Sequence, residues 1–308
     1  MRVNHFFNWG RRLDGGPRML YEAMRRMPGV EAYWYECRTR PELIPKADWN
    51  ICVDWSEENF GFGNYREPHP RIYWCSDTHV SPDAFRFRMD KAKEYDKVFT
   101  YNHLDVERFA AEGVEATWLP CAAEPFDYKP YPDIPKKYDI GFVGHFLHAP
   151  ERMKFLDTMI RAFPSHRVEW GKFHEDAAQE IAKCRVLLNH IHIDSNNMRV
   201  FEGMCSGKCL LTYATSDLPK IGAQDGVHCL TYRDMDEAIA KVRWALDHPV
   251  EREAIGAAGR ELVLSRHTYF HRAYEMLGMT PPDNLREIIL APVTLESVMS
   301  SPMPVKGL

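Results

Sequence analysis

The sequence predicts an α/β protein of two Rossmann-like domains. Three observations carry this. Short apolar runs recur and end in polar or glycine-containing clusters, as strands buried in a parallel sheet do. The first 26 residues read strand, glycine loop, helix, which is how such a domain opens. A proline-rich stretch divides the chain, and 308 residues are enough for two domains of ordinary size.

Taken in order, residues 1–7 form the first expected strand. A loop over 8–16 ends in Gly15-Gly16, and Pro17 takes the first helical position ahead of RMLYEAMRRM. Gly15 and Gly16 either let a ligand approach the backbone or only make a turn. Residues 49–53 and 71–75 are buried-type strands, separated by a loop over 57–70 rich in turn signals. The second strand runs into Ser76-Asp77-Thr78-His79, a polar cluster at a carboxyl end, where α/β proteins place chemistry. Asp77 and His79 read as acid/base or sugar-hydroxyl contacts, or as a cap beside a surface histidine. Strand 97–101, helix 104–112 closed by Gly113, and strand 116–119 stopped by Pro120 complete a first domain over 1–124. Pro125, Pro130, Pro132 and Pro135 stiffen a linker over 125–137.

The second domain, 138–265, opens with YDIGFVGH, an apolar strand ending in Gly144-His145. Arg152 follows in a helix ending near Phe163. In the proposed fold this loop faces phosphates: Gly144 allows close approach and Arg152 supplies charge, unless Arg152 is only an exposed helix cation. Lys172, just past a strand at 168–170, is a further phosphate candidate.

Residues 184–212, CRVLLNHIHIDSNNMRVFEGMCSGKCLLT, organise the chain. Val186, Leu187 and Leu188 are a buried-strand run. Asp194-Ser195-Asn196-Asn197 breaks it with cap and turn residues. A two-turn helix over 198–206 follows, with Gly207 as its left-handed stop and a strand over 208–212. A helix opening at a strand's carboxyl end offers free N–H groups and a favourable dipole to an anion. Arg199 sits in that first turn, where a cation is mildly unfavourable. Glu202 cannot belong to a capping box, because the residue three before it is Arg199. It either accepts both hydroxyls of a ribose or is a surface carboxylate pairing with Arg199. Asp194 precedes it with the spacing acid-x7-acid.

A loop over 216–221, a short strand over 227–230, and helices over 234–248 and 251–265 follow. Residues 279–308, with five prolines, read as a tail, docked or disordered.

Asp194 to Thr212, followed by DGVHCL, resembles the nucleotide-sugar motif of group-1 glycosyltransferases of the GT-B fold, two Rossmann-like domains facing a cleft. NMRVFEGMCSGKCLL and YDIGFVGHF resemble the spore-maturation (CgeB-type) glycosyltransferase-like family. The likeness spans roughly residues 70 to 278, and the first acid is Asp194 where that family carries Glu. It implies a nucleotide-sugar donor, a UDP- or GDP-sugar, held by the second domain. Glu202 would take the ribose, and Asp194, Asn196, Asn197, Met198 and Arg199 would surround the diphosphate and sugar. Gly144, His145, Arg152 and Lys172 would close the phosphate side. Gly15, Gly16, Asp77 and His79 would serve the acceptor and the chemical step from the first domain. A helix over 266–278 would cross back to that domain. The likeness also favours retention of anomeric configuration.

Net charge is −5, which supplies no general field for nucleic acid or acidic membranes. The local exception is Arg2, Arg11, Arg12, Arg18, Arg25 and Arg26, either a phosphate-facing patch or a solvated helix face. The first residues lack a signal-peptide apolar core, and no run reaches the length of a membrane span. Eight scattered cysteines without C-x-x-C pairs read as reduced thiols, so a cytoplasmic protein is expected. His190-Ile-His192 and His145/His148 lack metal-helix spacing, so no metal and no cofactor beyond the donor is expected. The reading is a metal-independent glycosyltransferase (hexosyl- or pentosyltransferase) with an unidentified acceptor: glycan, small molecule, protein or nucleic acid. Its rivals are a GT-B-scaffold binding or regulatory protein without turnover, and a transferase acting on modified nucleobases in DNA.

Overall fold

A computed structural model describes residues 1–7, 15–36, 39, 41–53, 68–79, 81–147, 149–191 and 193–291. Most of the expected loop over 8–16 with Arg11 and Arg12, most of the loop at 57–70, His148, His192 and the tail from 292 lie outside these residues. The chain divides into two compact units, 1–120 with 269–308, and 121–268.

The first unit begins β1 (Arg2–Phe6), α1 (Gly16–Arg25), β2 (Glu31–Tyr35), β3 (Trp49–Val53), β4 (Arg71–Cys75). It continues α2 (Pro82–Ala92), β5 (Lys97–Thr100), α3 (Leu104–Ala111) and β6 (Ala116–Trp118). Its six strands are parallel in the order β2-β1-β3-β4-β5-β6. β4 is buried at every position, as a central strand covered on both faces must be. Of the elements just given, β2 and α2 lacked a sequence signal. β2 alternates poorly, and α2 buries Arg88 and Lys91 along with Met89 and Ala92, which hides its apolar face.

The second unit contains β7 (Tyr138–Val143), α4 (Pro150–Ala162), β8 (His166–Glu169), α5 (His174–Ala182), β9 (Cys184–Leu188) and α6 (Met198–Cys205). It ends with β10 (Cys209–Tyr213), α7 (Asp217–Lys220), β11 (Leu230–Tyr232), α8 (Met235–Asp247) and α9 (Pro249–Arg266). Its sheet is parallel in the order β11-β10-β9-β7-β8. Phe142, Val186, Leu188, Leu211 and Tyr232 lead its core. Gly207 ends α6 at φ 68°, a left-handed residue that a side chain would strain. The strand expected at 227–230 begins only at Leu230. Val227 is 46% exposed, and its N–H and that of His228 return to the Gln224 carbonyl, so that apolar run closes a turn.

Residues 121–137 belong to the second unit, where the Tyr128 carbonyl accepts from Arg260 and the Lys137 N–H reaches the Lys183 carbonyl. The chain closes with α10 (Tyr269–Leu277) and α11 (Leu285–Leu290), both in the first unit. Arg26 anchors α11 through the carbonyls of Ile288 and Ala291, which a helix terminus leaves unpaired.

Candidate functional site

The loop between β9 and α6 is fixed by its own polar side chains. Asn189 is fully buried just past β9. Its amide nitrogen donates to Asn197 Oδ1 and Thr212 Oγ1, both at 3.1 Å, and Asn197 Nδ2 returns to Asn189 Oδ1 at 3.2 Å. Asn197 is the N-cap position of α6, but this exchange occupies its side chain, so no side chain caps the helix. The opening N–H groups of α6 are therefore left to a ligand or solvent. Asp217, fully buried, accepts from Ser195 Oγ at 2.9 Å and Asn196 N at 3.1 Å. Thr215 Oγ1 donates to Asn196 Oδ1 at 2.7 Å, and Ser216 N to Asp194 Oδ1 at 2.6 Å. The loop is thus clamped to the segment before α7. Asn196 is 7% exposed and its Nδ2 has no partner, a group whose burial costs about 1–3 kcal/mol when unsatisfied.

Arg199, in the first turn of α6, lies over the Phe142 ring at 4.9 Å. Its guanidinium also occupies the space where a side chain on Gly144 would stand, so only glycine fits at 144, which holds φ 145°. Arg152 joins from α4: Nη1 donates to the His145 carbonyl at 2.6 Å and Nε to the His190 carbonyl at 3.3 Å. Burial, followed by repulsion from Arg199, lowers the Arg152 pKa. Burial lowers that of Arg199 too, against attraction from Glu202 and Tyr128. Among the described residues neither guanidinium has a carboxylate within ion-pair distance. Two adjacent buried-side cations that cost stability are a ready anion site.

Glu202, one turn further along α6, is 7% exposed, which rules out a solvated surface carboxylate. The Tyr128 hydroxyl hydrogen-bonds to it, and burial, then the Glu202 charge, push that hydroxyl's pKa well above its ordinary value. Tyr128 therefore stays a proton donor to Glu202 at neutral pH. Nothing in the sequence marked Tyr128, which sits in a proline-rich stretch without periodicity. Asp217 was likewise hidden, because a clamp between two loops leaves no local pattern.

The other expected residues fall as follows. His145 and Lys172 are exposed on the connections after β7 and β8. Asp194 faces a cavity of about 740 Å³ that Tyr213, Thr215, Gln224, Asp225 and Arg233 also line. Met198 is half-buried at the start of α6. The structure thus gathers Gly144, His145, Arg152, Arg199 and Glu202, and clamps Asp194, Asn196 and Asn197 beside them. His190 stacks on Phe155 at 4.8 Å and bonds the Tyr232 hydroxyl, a packing role.

Gly15, Gly16, Asp77 and His79 belong to the first unit. The Gly15 carbonyl accepts from Arg18 and Met19 N–H groups at the start of α1. A Cβ on Gly16 would lie 3.0 Å from the hydroxyls of Tyr101 and Tyr269, so Gly16 makes room for its own unit. Thr78 turns inward to Asp105, leaving Asp77 and His79 exposed on either side. Asp77 holds φ 51°, a strained backbone of the kind found at functional sites. It is not a cap: Ser81 caps α2, its Oγ accepting from Ala84 N at 3.0 Å. Of the arginine patch, Arg25 pairs with Glu22 at 3.0 Å and Arg26 anchors α11. Among the described residues no group of three or more His, Cys, Asp or Glu could hold a metal ion, and no helix is long and apolar enough to cross a membrane.

Residues 146–278 match a family model described as glycosyl transferase-like. No curated protein matches the sequence. Sucrose-phosphate synthase from Thermosynechococcus elongatus superposes with a TM-score of 0.63 at 11% identity, covering 90% of this chain and 97% of that one. Anabaena HepE in complex with UDP-glucose gives 0.64 at 12% identity, covering 90% and 98%. An alpha-glucosyltransferase in complex with UDP and a 13-mer DNA containing an HMU base gives 0.64 at 8%, covering 90% and 99%. At these identities the likeness is one of fold: two Rossmann-like α/β domains of the GT-B class.

Proposed function

We propose that this protein is a glycosyltransferase that moves a sugar from a nucleotide-sugar donor to an acceptor without a metal ion. The observation that carries it is the pair Arg152 and Arg199, two cations without a carboxylate partner among the described residues, at the open start of α6. Such a site takes a diphosphate and stabilises the charge that builds on it as the glycosidic bond breaks. The family match over 146–278 covers this site and supports the reading. Glu202, held by Tyr128, accepts the ribose hydroxyls. Met198, the backbone after Asn197, and Lys172 complete the phosphate side, while Asp194 and Asn196 support the loop toward the sugar. A UDP-sugar is the favoured donor because HepE and the alpha-glucosyltransferase were solved with UDP or UDP-glucose. Asp77 and His79 serve acceptor activation, with Gly15 and Gly16 as part of the acceptor domain, 1–124; the donor domain is 138–265, joined by 125–137. Retention of configuration and a cytoplasmic setting complete the proposal.

The test is a thermal-shift screen against UDP, GDP, ADP and TDP, followed by hydrolysis of the matching nucleotide-sugar with and without EDTA. A ligand that binds only the native state raises the midpoint. A shift with one nucleotide and hydrolysis insensitive to EDTA are expected. No shift with any of the four removes the donor site. A shift without hydrolysis or transfer favours a binding protein, and loss of activity in EDTA restored by a divalent ion refutes the metal-free step.

A further inference from the structure

Two aromatic rings near the arginines are still without a task. Trp170 is 55% exposed and Phe173 46%, both on the connection between β8 and α5. Leaving rings of this size in water forfeits apolar burial, so an exposed pair calls for an occupant. Its position is set by the sheet. Val143 is the register partner of Glu169, so Gly144 and Trp170 leave the sheet side by side, and Gly144 N donates to Glu169 O at 2.9 Å. Gly144 is the residue on which the Arg199 guanidinium rests, and the His145 carbonyl holds Arg152. The His145 ring meets Trp170 edge-on, with centroids 6.3 Å apart and planes at 67°. β8 is the outermost strand of its sheet, and among the described residues no neighbouring strand covers this flank. A π-surface therefore borders the two-cation site.

We infer that Trp170, braced by His145, is the platform on which the base of a nucleoside diphosphate stacks while its phosphates lie at Arg152 and Arg199. The inference rests on the diphosphate reading of those two residues. Charge alone would hold any diphosphate. A ring beside the charge selects those that carry a base, because a base presents a π-face to stack on it.

Calorimetric titration of the whole protein with UDP, GDP, ADP and inorganic pyrophosphate tests this on the wild type, Trp170→Ala, Trp170→Phe and Arg199→Ala. Stacking is worth ~1–3 kcal/mol per base, so Trp170→Ala should weaken the bound nucleotide roughly 5- to 150-fold and leave pyrophosphate unchanged. Trp170→Phe should keep most of the affinity, and Arg199→Ala should weaken nucleotide and pyrophosphate together. Wild-type nucleotide affinity in Trp170→Ala overturns the stacking role, and the arginine site survives if Arg199→Ala still loses both ligands. Equal loss of pyrophosphate and nucleotide in Trp170→Ala also overturns it, because the damage is then to the phosphate site. Unchanged binding of both in Arg199→Ala overturns the diphosphate reading, and the inference falls with it.

Discussion

Replacing Gly144 by alanine should damage a side chain 55 residues away in sequence. The added Cβ overlaps the Arg199 guanidinium, which must leave its place over Phe142. Two costs follow. Holding an L-residue at φ 145° costs about 1–3 kcal/mol, and losing the cation–π contact costs about 0.5–2 kcal/mol. The larger effect is on binding, where a misplaced charge-assisted donor forfeits about 1.5–3 kcal/mol, or roughly 10- to 150-fold in Kd. Gly29→Ala is the control, because Gly29 has φ 77° with nothing within 4 Å of an added Cβ. It should cost only backbone strain and leave nucleotide binding untouched. Urea unfolding and calorimetric titration with UDP measure both quantities. A double-mutant cycle with Arg199→Ala isolates the clash. With the guanidinium gone, Gly144→Ala should cost little beyond what Gly29→Ala does. Full additivity of the two substitutions, or wild-type UDP affinity in Gly144→Ala, would falsify the argument.

Tyr128→Phe removes the hydroxyl donor to Glu202 and should weaken nucleotide binding about 2- to 10-fold, the worth of one net hydrogen bond; unchanged affinity by titration separates Glu202 from the ribose role. His79→Ala should lower kcat ~100–10,000-fold while the Kd of the nucleoside diphosphate stays constant, a split read from steady-state kinetics and titration; lost nucleotide affinity with normal kcat would move His79 to the donor side. His5 is fully buried between Phe7 and Tyr21, both ring nitrogens lack partners, and burial lowers its pKa from 6.5 to about 3. The unfolded chain then takes up a proton that the native one refuses, so stability falls as pH drops from about 6.5 to about 3, by about 1.4 kcal/mol per unit. His5→Phe should flatten that slope in urea titrations at pH 7, 5 and 4, and an identical slope in both proteins refutes it.

The sequence is legible where period and chemistry coincide. The run ending at Leu188, the polar break at 194–197, the two-turn helix and Gly207 are local signals, and the structure realises each. It did not reach contacts made across the fold. Tyr128 meets Glu202 only after the proline-rich stretch lies back on the second unit, and a tyrosine in a loop carries no period to betray that. Asn196 and Asn197 read as ligand-facing, yet Asn197 is exchanged with Asn189 and the Asn196 oxygen is taken by Thr215. A polar loop does not say which of its groups are spent on holding it in shape. α2 leaves no sequence signal for a related reason, since Lys91 is buried against Cys52 and the Tyr73 ring where an apolar residue would have shown the helix face.

The same distinction decides what Arg199 is for. A residue kept for stability is one whose contacts favour it in place. Arg199 sits at the positive end of a helix, beside a second guanidinium, in surroundings that lower its pKa. Its face-on contact among the described residues, with the Phe142 ring, would be served as well by an apolar chain. Gly144 has surrendered its side chain to make room for it. Burial, the neighbouring cation and the helix dipole oppose that charge in the free protein, against attraction from Glu202 and Tyr128. An anion laid across Arg152 and Arg199 would add attraction to both guanidiniums and to the helix N-terminus, which offsets those repulsions. On the proposed diphosphate reading, the site costs stability when empty and recovers it when filled, which is how stability is traded for binding energy.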